Sequence, residues 1–426
     1  MKTRSPFRWL IRAAALALSV AAVAATAQAT SGTSATAAAQ GNAVTDWNLI
    51  AQNAIVVGRP VGSSLVLEGI VQAAIYDATI AVEGGYEPFV VSPRVSRPAS
   101  TAAAVATAAR GILIVRVPGQ AEYVEAQYVA YLANIPDGPA KENGIAVGEE
   151  VAQAILDWRT GDGFDNDIPY EQPPPGPGVF EPIPPGSTPL DVKLKQVRPL
   201  TFTSNGQFRP DGPNPLRSAE YAEDFKEVKA YGRVDSAVRT PEQTEIALFW
   251  AENTAIQWPR TQRALSLEKG LSLAETARML ALAQVATADA LLACFDAKYH
   301  YLFWRPIHAI QRADTDGNPA TEPDPTWMPL LFVNHPEYPG AHGCGTTAVT
   351  ETLSAFFGTD SVAFSMDSTR TGTTHYYERF SDAAKEVYDA RTWAGLHFRN
   401  STMEGAWIGR KIARYVVTHF FRPTEA

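Results

Sequence analysis

The sequence predicts an all-α protein built around a large helical core. Three observations predict it. Of the 426 residues, 46% are apolar and 10% aromatic, which supplies a core without disulfides and excludes a disordered chain. Apolar residues recur at helical spacing over many helix-length stretches. Alternating, strand-like runs are scarce, and no repeat of roughly 20–50 residues is present. At about 150 residues per domain the length allows two or three domains, or one large one.

The elements follow in order. Met1–Ala29 reads as a secretory signal (residues 1–29): Lys2, Arg4, Arg8 and Arg12 form a basic start, Ala13–Ala25 an apolar run, and Ala27-Gln28-Ala29 a small-x-small cleavage site. Export, to the periplasm or the medium, is therefore expected. Residues 30–43, rich in Ala, Ser, Thr and Gly, are expected to be a flexible leader. An N-terminal helical half, 44–190, contains helix-like stretches at Ser63–Val82, Thr101–Val115, Ala121–Ile135 and Ala140–Trp158. It closes with a proline-rich tract from Pro169 to Pro189 that cannot be helical and is expected to wrap the surface.

A C-terminal half, 191–426, resumes with Ser218–Lys229. Thr240 is a plausible N-cap, with Pro241 at the first helical position and Gln243 placed to complete a capping box. Leu271–Trp304 is long and strongly helical, and Pro306 ends or kinks it. Another helix is expected to begin near His342, and a last pair spans Ser381–Leu396 and Ser401–Phe421. Outside the signal no uninterrupted apolar run reaches about 18 residues, so no membrane-spanning helix is expected in the mature chain.

The net charge is −9. Signal removal takes four positive charges and no negative ones, leaving −13. Such a field argues against nucleic acid and anionic membrane surfaces as partners.

Six of the seven histidines fall between His300 and His397. Three cationic or histidine-bearing motifs share that region. Lys298 and Arg305, seven residues apart in KYHYLFWRP, are nearly two helical turns apart and are expected to leave one helix face together. The flanking Phe295, Leu302, Phe303 and Trp304 suggest that this face is buried, where two cations are costly unless an anion lies between them. His335-Pro-Glu-Tyr-Pro-Gly-Ala-His342 is a turn opening a helix, whose first N–H groups favour an oxyanion. His342 at that mouth could act as an acid or base. Arg391 and His397 lie in ARTWAGLHF; arginine suits oxyanion recognition, and a neutral histidine can ligate a metal-like centre or attack phosphorus.

Lys-x6-Arg-Pro, then Pro-x-x-His, then Arg-x5-His resembles the signature of the vanadium-dependent haloperoxidase / phosphatidic acid phosphatase type 2 superfamily. The stretches VTDWN, FRPDGPNPLRSAEYAEDFKEVKAYG, RTPEQTEIALFW and DAKYHYLFWRPIHAI are similar to its exported bacterial haloperoxidase-like branch. The resemblance implies a helical bundle of the haloperoxidase/acid phosphatase type and vanadate as cofactor. Lys298, Arg305 and Arg391 would neutralise the vanadate oxygens, Gly340 and Ala341 would contribute at the turn, and His397 would be the single covalent ligand. His342 would take a proton from hydrogen peroxide, a halide would be oxidised, and a small organic acceptor halogenated. His335 resembles the bromoperoxidase pattern, which favours bromide or iodide over chloride.

Two departures stand out. The serine usual before the motif Gly-His is Gly340 here, so one hydroxyl to the oxyanion is missing, and Ala390 replaces another serine before Arg391. A carboxylate bracing Arg391 would fall at Glu252 or Asn253, the candidates for a supporting role beside Phe295 and His335. Cys294 and Cys344, the only cysteines, are expected to form a disulfide in an exported protein. Two alternatives accompany the peroxidase: an exported acid phosphatase with His397 as nucleophile and His342 as leaving-group acid, and a non-catalytic oxyanion-binding relative.

Overall fold

The structure, a computed structural model, describes residues 41–424. The expected signal and residues 30–40 of the expected leader lie outside the described residues. The leader's end is already ordered: Asn42 caps helix α1 (Ala43–Ile55) through a capping box with Thr45.

Twelve further helices follow among the described residues: α2 (Val61–Glu83), α3 (Thr101–Arg116), α4 (Ala121–Leu132), α5 (Pro139–Arg159), α6 (Ala219–Tyr231), α7 (Pro241–Phe249), α8 (Thr254–Glu268), α9 (Leu273–Tyr301), α10 (Pro306–Gln311), α11 (Ala341–Phe357), α12 (Phe380–Trp393) and α13 (Arg399–His419). The class is all-α. One short antiparallel hairpin interrupts it, β1 (Phe364–Ser368) and β2 (Thr373–Tyr377), with Phe364 opposite Tyr377.

Local chemistry explains several boundaries. Thr240 accepts from the Gln243 N–H while the Gln243 side chain returns to the Thr240 N–H, the box expected for α7. Ser272 and Glu275 cap α9 in the same way. The far end of α9 differs from expectation. Leu302 adopts a left-handed conformation, φ 48°, and stops the helix at Tyr301, before Pro306.

Helices α2 and α9 lie side by side at the centre, and α11 packs between α9 and α13. Both central helices are long and apolar enough to cross a membrane by length and composition, contrary to expectation. Their most apolar windows are 94% buried inside the protein. Surrounded by other helices, they carry apolar residues on every face with isolated acids such as Glu68, Asp77 and Asp289 buried among them. The proline-rich tract wraps back toward the end of α9, where the Phe180 N–H donates to the Leu302 carbonyl at 2.7 Å.

Candidate active site

Three chain reversals bring the motifs together. The left-handed Leu302 turns the chain after α9, so Lys298 and Arg305 do not share a helix face; Arg305 is the N-cap of α10. Both nevertheless reach the 335–340 loop, and each donates to the Pro336 carbonyl. That loop opens α11 with Gly340 as a cap that lacks a side chain. Between α12 and α13 the chain reverses at Gly395, φ 74°, where an added Cβ would lie 2.5 Å from the Gly232 carbonyl oxygen. This turn brings the His397 N–H back to the Arg391 carbonyl at 3.3 Å.

A cavity of about 340 Å³ stands at this junction. His335, Ala341, His342, Arg391 and His397 line it, together with an apolar wall that includes Leu65, Phe295, Leu331, Val333 and Leu396. Lys298 and Arg305 do not line it. The Lys298 ammonium is fully buried and spends its protons on three carbonyls: Pro336 at 2.9 Å, Glu337 at 3.0 Å, and Pro339. Arg305 donates to the carbonyls of His335, Leu396 and Pro336 and to two histidine rings. The two cations expected to neutralise the oxyanion thus lie at the cavity without lining it. They stand behind the cavity wall, their donors held by main-chain oxygens that the loop turns inward, and they act on the cavity through their charge.

Arg391 is different. It is 5% exposed, its Nη1 donates to the Trp250 carbonyl at 3.0 Å, and its Nε has no hydrogen-bond partner. Neither Glu252 nor Asn253 braces it, a correction to the sequence reading. The Glu252 carboxylate is held by Arg260 in a two-pronged pair, both contacts 3.0 Å, and by Thr369. The Asn253 side chain caps α8. Both still line the cavity. Burial pulls the Arg391 guanidinium below its ordinary value, and the nearby Arg305 charge adds to this. Burial likewise brings Lys298 down to about 8 and Arg305 to about 10.

The single carboxylate among these cations is Glu337, which the sequence reading passed over. It is fully buried. One oxygen accepts from His397 Nδ1 at 2.9 Å and from the Phe398 N–H at 3.0 Å; the other accepts from the Ser401 hydroxyl at 2.6 Å. Burial raises its carboxyl to about 7 against the pull of Arg305. Because a carboxylate accepts, His397 Nδ1 carries the proton and Nε2 keeps its lone pair. Arg305 donates to that Nε2 at 3.3 Å and to His335 Nδ1 at 2.8 Å, which fixes both rings as neutral acceptors. Burial and the surrounding cations hold His335, His342 and His397 well below the ordinary histidine range. His342 Nε2 lies 3.3 Å from the Thr254 hydroxyl, another contact not foreseen.

Gly340 cannot supply its N–H to a ligand, because that group donates to the Ser401 carbonyl at 2.6 Å. Ala341, the first residue of α11, follows a cap without a side chain, so its N–H is among the first-turn main-chain donors available to an anion. Cys294 and Cys344 are both buried free thiols, so the expected disulfide is absent; the two side chains lie within hydrogen-bonding reach of one another across α9 and α11. His375 takes no part in the cavity. It bridges Glu386 and Glu245 at 2.8 and 3.0 Å and stacks on Phe249, fastening the hairpin to α7 and α12. Burial alone would lower it, but the two carboxylates hold it above its ordinary value.

Residues 278–425, which carry all three motifs, match the family model of the VCPO second helical-bundle domain. Among solved structures, the chain is similar to a bacterial vanadium-dependent iodoperoxidase at TM-score 0.75 and 22% identity, over 90% of this chain and 97% of the other. It is also similar to a bacterial vanadium-dependent chloroperoxidase. The apo form superposes at TM-score 0.69 and 14% identity, over 84% of this chain and 94% of the other. For the holo form the values are 0.67 and 15%, over 91% and 94%. No curated protein matches the sequence. The chain thus has the fold of the vanadium haloperoxidase superfamily, and its motif-bearing segment matches that family's model, as the three motifs led one to expect.

Proposed function

We propose that the chain is an exported vanadate-dependent haloperoxidase that oxidises bromide or iodide with hydrogen peroxide and passes the oxidised halogen to a small organic acceptor. The observation that carries this reading is Arg391, a buried guanidinium with an unpartnered Nε on the cavity wall, with Lys298 and Arg305 buried behind it. An unpaired buried charge is expensive, and a compact oxyanion in the cavity offsets that cost. Vanadate fits the donor set: Arg391, the Ala341 N–H and the lone pair of His397 Nε2 would hold it, with Lys298 and Arg305 behind them. Bound there, it supplies a Lewis-acid centre that activates peroxide toward halide. The chain's residues do the rest. Glu337 holds His397 in one tautomer, and His342, kept neutral by burial, receives the peroxide proton. The apolar wall around Phe295 excludes water and suits a small organic acceptor.

Export rests on the signal-like N-terminus, and the halide preference on His335. A phosphatase reading draws on one specific observation, the unprotonated His397 Nε2, which accepts from Arg305 at 3.3 Å, with Nδ1 locked by Glu337, the tautomer a nucleophilic histidine needs. A paired assay on one vanadate-titrated sample separates them. Peroxide- and bromide-dependent bromination of a phenol dye is expected. Phosphomonoester hydrolysis that vanadate inhibits, without halide turnover, would replace the peroxidase by the phosphatase.

A further inference from the structure

The rim of the cavity carries one charge that nothing in the protein answers. Four of the lining residues are exposed: Val61, Leu190, Phe332 and Arg370. The first three are apolar, and Phe332 is 52% exposed. Arg370 sits at the tip of the β1–β2 hairpin, which is pinned on both sides of it. Before it, the Ser368 hydroxyl donates to the Phe249 carbonyl at 3.0 Å, and Glu252 accepts from the Thr369 N–H and hydroxyl at 3.1 and 2.9 Å. After it, the Thr373 hydroxyl donates to Glu245 at 2.6 Å. The Arg370 N–H donates to the Ser368 hydroxyl, whereas its guanidinium makes no hydrogen bond or ion pair among the described residues. Glu252, which holds the neighbouring Thr369, is itself taken by Arg260. The rim is therefore apolar apart from one uncompensated positive charge.

The space on either side of Arg370 suits an organic molecule. The cavity, about 340 Å³, is far larger than peroxide and a halide need, since a water takes up about 30 Å³ and a cavity of about 150 Å³ admits a benzene ring. Outside it lies a second, open space of about 560 Å³ that shares Ala251, Glu252, Asn253 and Arg370 with it. A molecule that reaches the catalytic histidines through this vestibule passes Arg370. A guanidinium offers a planar fork that matches the two oxygens of a carboxylate, a match that a single-atom halide cannot make. We propose that Arg370 determines which organic acceptor is taken: its guanidinium holds a carboxylate at the rim while the acceptor's aromatic body lies in the cavity against the apolar wall. The acceptor class is thus an aromatic carboxylate. This inference deepens the haloperoxidase reading above and rests on it.

The test compares two acceptors of one shape, 3-(4-hydroxyphenyl)propionate and its uncharged amide, on wild type, Arg370→Gln and Arg370→Lys. Calorimetric titration of the full chain, without peroxide or halide, measures binding. Wild type is expected to bind the carboxylate about fivefold tighter than the amide at low salt, the upper end of what an exposed ion pair contributes. Added salt should shrink that preference. Glutamine should abolish it, and lysine, which keeps the charge without the fork, should retain part of it. Equal binding of the two acceptors by wild type overturns the inference, as does an undiminished preference in Arg370→Gln. In turnover of the vanadate-loaded protein with bromide, the ratio of kcat/KM for carboxylate over amide should fall in Arg370→Gln by the same factor as the binding preference. An unchanged ratio with a raised KM for bromide puts Arg370 on the halide's path and overturns the acceptor assignment. A carboxylate preference that depends on Arg370, in a chain without halide turnover, supports the rim site and overturns only the haloperoxidase reading.

Discussion

Arg391 illustrates how one residue can be unfavourable for the fold and favourable for binding. Its charge is buried, and its Nε is unpartnered, so the unliganded protein bears a desolvation cost that no carboxylate relieves. Arg391→Met is therefore expected to raise the thermal midpoint of the unliganded chain while reducing phosphate or vanadate affinity at least tenfold, given about 1.5–3 kcal/mol for a charged hydrogen bond. Unfolding scans with and without anion check both halves, and a lower midpoint for the free variant would contradict the account. The cysteines give a second test at this scale. Two free thiols mean that the denatured protein takes up two alkyl groups without any reductant; uptake only after reduction would restore the disulfide. The cations and histidines were legible in the sequence because their spacing is local. Glu337 and Thr254 were not, since each acquires its role only from a partner 60 or more residues away.

At the scale of elements, the α11–α13 crossing does most to hold the site's shape, because it presses the loop with His335 and Glu337 against the turn with His397. Gly343 permits that approach: its added Cβ would meet the Thr402 carbonyl oxygen at 2.3 Å. Gly343→Ala must push the helices apart, and a loss of about 1–3 kcal/mol is expected by analogy with overpacked cores. Gly119, with open space around its Cβ position, serves as the control, and Gly119→Ala should stay within about 0.5 kcal/mol of wild type. Denaturant unfolding measures both, and equal effects would remove the packing argument. Helix starts were readable wherever side-chain chemistry marks them, as at Thr240 with Pro241 and Gln243. Helix α1 escaped because its Asn42 cap follows directly on a low-complexity stretch. The end of α9 was misplaced because Leu302 enters the left-handed region without a glycine to announce it. That error also put Lys298 and Arg305 on a shared helix face they do not have.

Across the whole molecule, net charge and local charge have opposite signs. The chain carries −9, yet Lys298, Arg305 and Arg391 gather at its cavity with Glu337 buried among them, while the lining carboxylates Glu252 and Asp191 are engaged elsewhere, by Arg260 and by the start of α2. Bulk acidity disfavours polyanions, whereas on the function proposed above the buried cations would select a small oxyanion that fits inside. This arrangement fixes the pH dependence of binding, and sulfate is a suitable probe because its charge is constant across the range. Lys298, lowered to about 8 by burial, must be protonated to contribute its charge, whereas the Arg391 guanidinium keeps its proton across the range. An anion favours the charged forms, so deprotonation competes with binding. Sulfate affinity is expected to fall as the pH rises above ~8 and Lys298 loses its charge. On the acidic side Glu337, raised to about 7, takes up a proton as the pH falls and removes the negative charge beside His397, so affinity should rise between about pH 8 and 6. Glu337→Gln, neutral throughout, should flatten that lower limb and leave the upper one in place. Calorimetric titrations at a series of pH values measure both limbs. An affinity independent of pH from about 6 to 10 would mean that sulfate does not bind among these cations.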